Sequence, residues 1–67
     1  MKVEVIIEKD ETNYYVAEVP ALPGVMAYGQ TEAEATARAE VLALRVLADR
    51  LEHGEIVPEL SGLFHAA

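Results

Sequence analysis

The stretch Tyr14-Tyr15-Val16-Ala17-Glu18-Val19-Pro20-Ala21-Leu22-Pro23-Gly24-Val25-Met26-Ala27-Tyr28-Gly29-Gln30-Thr31 reads as strand, turn, strand and helix cap with almost no spare residue. Tyr14 to Val19 is rich in aromatic and β-branched residues and alternates in polarity, which suits a strand. Pro20 lacks an amide donor and ends it. Pro23-Gly24 fits a tight turn, with proline at the second position and glycine taking positive φ at the third. Val25 to Tyr28 then returns as an antiparallel strand, and Gly29 releases the chain. Thr31 and Glu34 have the spacing of a capping box. From there to Leu51 the residues are mainly Ala, Leu, Glu and Arg, strong helix formers.

Val3, Val5 and Ile7 alternate with Glu4, Ile6 and Glu8, a half-buried strand pattern. The polar run Lys9 to Asn13 can close a hairpin with the next strand. Gly54 is placed to stop the helix in the left-handed conformation. About 22 helical residues would span roughly 33 Å. Glu55 to Leu60 is expected to add a short strand, held to an edge by Pro58. The fold class is thus α+β: an antiparallel three- to four-stranded sheet with one long helix on one face, in the order β-β-β-α-β. A single domain over residues 1–60 and a tail over 61–67 are expected.

With 67 residues, only about 60% of the unfolded surface is buried on folding. Chains this small usually need a disulfide, a metal or a partner subunit. There is no cysteine and the chain is 52% hydrophobic, so self-association is the expected support. The net charge of −7 disfavours direct nucleic-acid binding, which needs cations to displace phosphate counterions. No apolar run approaches the roughly 20 residues that span a bilayer. Neither membrane nor nucleic acid is an expected partner, and a cytoplasmic location is.

At 100° per residue the helix separates into two apolar stripes. One holds Ala33, Ala37, Val41, Leu44, Ala48 and Leu51; the other holds Ala35, Ala39, Leu42 and Val46. A helix on one sheet needs only one stripe. The small Ala35 and Ala39 allow close approach, so their stripe, with Leu42 and Val46, is assigned to the core. Val41, Leu44, Ala48 and Leu51 then face outward with coiled-coil spacing and form the candidate oligomer interface. Alternatively, Leu60, Leu63 and Phe64 fold back to cover them.

No catalytic constellation is visible, and neither a cofactor nor a metal is expected. His53 and His65 sit at a helix end and in the tail, where histidine is usually surface decoration favoured by the helix dipole. Ser61 has no adjacent base. Glu4, Glu8 and Glu18 lie on strands, but Glu4 and Glu8 would stand roughly 13 Å apart, too far for a shared metal pair. Tyr14, Tyr15 and Tyr28 lack basic neighbours for base stacking and suit a half-buried sheet surface.

The pattern Y-x-A-E-x-P-x-L-P-G-x-x-x-x-G-x-T, from Tyr15 to Thr31 and followed by a helix, resembles the N-terminal domain of HicB-type antitoxins and their small stand-alone relatives. The likeness runs from about Met1 to Leu60 and implies a partial ribonuclease-H-like fold. It also implies an antitoxin-like role: binding and occluding a small, basic, mRNA-cleaving toxin, with no enzymatic activity. HicB antitoxins continue into a C-terminal DNA-binding domain. The sequence to Ala67 shows none, so transcriptional repression is not expected. The alternative is a stand-alone homo-oligomeric relative with no toxin partner.

Overall fold

Ala17, Val19, Val25 and Leu22 are the buried apolar residues of the central stretch, and the chain is shaped around them. In a computed structural model, which describes residues 3–60 and 62–64, three strands form: β1 (Ile6–Lys9), β2 (Tyr15–Glu18) and β3 (Met26–Gly29). They pair antiparallel in chain order, with Ile7 opposite Ala17 and Ala17 opposite Ala27. The helix α1 (Glu32–Glu52) packs across one face, mainly over β3 and β2 and only marginally over β1. The thinnest dimension, 15 Å, is that of one sheet and one helix.

The connections are made by their own side chains. Asp10 organises the β1–β2 turn: its Oδ1 accepts from the Thr12 amide (2.9 Å), the Thr12 hydroxyl (2.8 Å) and the Tyr14 amide (3.0 Å). Asn13 completes the turn at φ 68°, a conformation that asparagine tolerates better than most residues. Between β2 and β3, Leu22 donates to the Val19 carbonyl and Val25 to the Leu22 carbonyl, both at 3.0 Å. Gly24, at φ 88°, supplies the positive angle that the Pro23-Gly24 turn requires. These two successive turns push the fully buried Leu22 into the core.

Thr31 caps α1, its Oγ1 accepting from the Glu34 amide at 3.0 Å. The Glu34 carboxylate reaches back one residue past the cap, to the Gln30 amide (3.3 Å). At the other end Gly54 donates to Leu51 O and Glu55 to Arg50 O, both at 3.0 Å. With Gly54 at φ 75°, this is a Schellman stop.

Three expectations are corrected. The ladder begins at Ile6, although Val3 and Val5 ahead of it are half-buried against the core. The segment after the helix adds no strand: Val57 is buried, Ile56 is 91% exposed, and Pro58–Leu60 forms a 3-10 turn. Val57 and Leu60, three residues apart, both turn inward, which a turn achieves and a period-two strand does not. The core row of the helix is Ala35, Ala39, Ala43 and Leu47. Ala35 and Ala39 lie where expected and Val46 is half-buried, but Leu42 is 36% exposed on the flank. A row of four-residue steps slants across the helix axis, so the line of contact drifts from the expected stripe toward Leu47.

Candidate protein-binding surfaces

Alternation along the strands fixes what each sheet face carries. Ala17, Ala27 and the residues in register with them face the helix. Ile6, Glu8, Val16, Glu18, Met26 and Tyr28 therefore share the outer face. Across the strands they read Ile6–Glu18–Met26 and Glu8–Val16–Tyr28, two apolar residues and one carboxylate in each row. Tyr28 is 54% exposed, and Ile6 and Met26 are exposed as well. Glu8 and Glu18 are exposed members of this mosaic.

Opposite the sheet, Leu44 is 59%, Leu51 50% and Val41 49% exposed, and Ala48 is exposed too. The four candidate interface residues thus lie together on the outer side of the helix. Phe64 is 79% exposed and Leu63 is exposed, so the described tail residues are not folded away over this stripe. Leu51 instead borders a second apolar depression, with Ile56, Pro58, Leu60 and Phe64.

The two edges of the sheet differ. Val19 donates to Val25 O and Asp10 to Tyr14 O, which sets the phase of both ladders. In antiparallel pairs, backbone groups point alternately toward and away from the partner. Counting from those bonds, the N–H and C=O of Met26 and Tyr28 point out from β3, and those of Ile7 and Lys9 point out from β1. On the β3 side, Arg38 Nη1 donates to the outward Tyr28 carbonyl (3.0 Å), and its Nη2 pairs with Glu34 Oε1 (3.2 Å). Arg38 therefore occupies one outward acceptor of that edge and ties it to the start of the helix. On the β1 side lies an apolar groove of about 320 Å³, lined by Val3, Val5, Val19, Ala43, Leu44 and Leu47, with Glu40 also on its wall. Periodicity gave no hint of the Arg38 bond, which joins residues ten apart, or of the groove. The groove exists because the helix sits off-centre over the sheet.

The remaining singled-out residues do not converge. His53 caps α1, its ring Nδ1 donating to the Asp49 carbonyl at 2.7 Å. His65 and Ser61 lie outside the described residues. Glu4, Glu8 and Glu18 are all exposed, and among the described residues no group of three or more His, Asp or Glu side chains could hold a metal ion. Tyr15 is half-buried against the core, whereas Tyr14 and Tyr28 are exposed. No helix among the described residues is long and apolar enough to cross a membrane.

An α+β sheet-and-helix protein that presents apolar and acidic surfaces is the class these features define. A UPF0150 protein of Thermoplasma acidophilum is 41% identical over 58 residues, which cover 87% of this chain and 84% of the relative. A UPF0150 protein of Archaeoglobus fulgidus is 62% identical over 24 residues, 36% of this chain and 35% of that relative. The chain belongs to the UPF0150 family. No family model matches it, and neither does any solved structure.

Proposed function

We propose that this chain is an antitoxin-like binding module related to HicB. It acts without catalysis, by occluding the RNA-facing surface of a small basic toxin. The observation that carries this reading is the outer sheet face, where exposed Ile6, Met26 and Tyr28 alternate with Glu8 and Glu18. Such a surface combines apolar contact with charge complementary to a cationic, RNA-binding partner, and the net charge of −7 supports the same attraction. The resemblance of Tyr15 to Thr31 to the antitoxin pattern supplies the partner class. The reading expects a short basic reading frame beside its gene, and the test is co-expression with that frame. That frame alone should arrest growth, this chain should relieve the arrest, and Tyr28→Glu with Met26→Glu should abolish relief while leaving the fold intact by circular dichroism. A neighbouring product that is harmless, or toxicity that this chain does not relieve, removes the reading.

A second reading, a homo-oligomer with no toxin partner, is favoured by the exposed stripe of Val41, Leu44, Ala48 and Leu51. On that reading Leu44→Glu lowers the sedimenting mass without loss of helix, because it places an unpaired charge at the seam.

A further inference from the structure

We propose that a second copy of this chain covers the outer stripe of α1, with the two helices parallel about a two-fold axis. Val41, Leu44, Ala48 and Leu51 would then each meet their own counterpart. This rests on the homo-oligomer reading and adds its orientation. The four residues are exposed and follow the three- and four-residue spacing of a coiled-coil seam. Glu40, just before Val41, borders the stripe on the groove side. Arg45, just after Leu44, borders it on the other side. Both are exposed, and among the described residues neither is in an ion pair.

Charge selects both the occupant and its direction. In a parallel pair, a residue on one flank of the seam meets the residue five positions later on the opposite flank of the other helix. Glu40 of each copy thus meets Arg45 of the other, twice by symmetry, and no like charges are opposed. An antiparallel pair that sets Val41 over Leu51 brings Arg45 beside Arg45 of the second copy. It also offers Glu52 to Arg38, but Arg38 is already held by Glu34 and the Tyr28 carbonyl. Sliding that pair to set Val41 over Leu44 opposes Arg45 to Arg38 instead.

The end of the helix favours the same direction. Leu51 borders an apolar depression with Ile56, Pro58, Leu60 and Phe64, of which Ile56 and Phe64 are exposed. Parallel helices bring the two copies of this depression together. Antiparallel helices set each one beside the acidic first turn, Glu32 and Glu34. The sheets stand on the far sides of the helix pair, so the outer sheet face stays open and growth rescue is a separate test.

The full chain contains no cysteine, so single-cysteine variants report direction. Val41→Cys alone and Leu51→Cys alone should each form a disulfide-linked dimer under mild oxidation, because identical seam positions face each other within bridging range. In the antiparallel pair each would lie about 15 Å along the axis from its counterpart, and only a mixture of the two variants would link. Met26→Cys, on the outer sheet face, should stay unlinked. Arg45→Glu should weaken dimerisation roughly tenfold at low salt, read by sedimentation, and Glu40→Arg in the same chain should restore it. Linkage only in the mixture, linkage through Met26→Cys in place of the helix positions, or a charge swap that restores nothing would overturn this orientation and leave self-association standing. A wild type that sediments as a monomer at tens of micromolar removes both. Should a charge variant lose its helix by circular dichroism, the cysteine pattern decides.

Discussion

Gly29 shows how one missing carbon sets the architecture. A Cβ there would lie 2.9 Å from Ala35 Cα and 3.0 Å from the Glu34 carbonyl carbon, and closer still to the Ala35 amide nitrogen. All of these are backbone atoms that cannot swing aside, so β3 meets the start of the helix only because position 29 is glycine. Gly29→Ala should therefore cost about 2–3 kcal/mol, read as a lower denaturant midpoint. Asp10 is a different kind of single-residue device. The Thr12 hydroxyl holds its carboxyl below the usual aspartate value; desolvation opposes it, and the Tyr14 and Thr12 amides add smaller pulls downward. A lowered folded value means that the contribution is complete above the unfolded value of about 3.9 and is lost as pH falls through it toward the folded one. Asp10→Ala should destabilise the protein at neutral pH and flatten the acid limb of its stability curve. An unchanged limb in thermal melts from pH 6 to pH 2 would contradict this.

Among the elements, the helix is the sharpest test of packing. Leu47 is 3% exposed at the core end of the buried row, so Leu47→Ala should cost about 2–5 kcal/mol. Leu42→Ala should cost about 1 kcal/mol or less, because that side chain already stands partly in water. Equal losses in chemical denaturation would place the contact line back on the expected stripe. The strand order, the Pro23-Gly24 turn, the Thr31 cap and the Gly54 stop were legible because each depends on residues within a few positions. Which helical residues touch the sheet was less so. A uniform 100° wheel places Ala43 and Leu47 in neither stripe, whereas the real line of contact slants. The expected edge strand over Glu55 to Leu60 fails because, of the β-branched neighbours Ile56 and Val57, only Val57 is buried. The outward position of Val41, Leu44, Ala48 and Leu51 followed from counting stripes. The β1 groove depends on where the helix sits over three strands, a long-range fact that no local pattern carries.

At the scale of the whole molecule, acidity should govern what the protein avoids. With twelve acidic residues against five basic, the chain alone should not retard duplex DNA or RNA at physiological salt. A sub-micromolar gel shift would refute this. The order in which the elements are built has a further consequence. Every strand pairs with its neighbour in sequence, and the helix then closes over the two strands that precede it. Few contacts between elements require distant parts of the chain to meet first, and such low contact order favours folding within milliseconds or faster. The open edge and the uncovered helix stripe would thus be complete on each copy before any encounter with another chain. Refolding should show a fast phase whose rate is independent of protein concentration, then a slower one that scales with it. Time, rather than a covalent link or a bound ion, would separate becoming folded from becoming assembled.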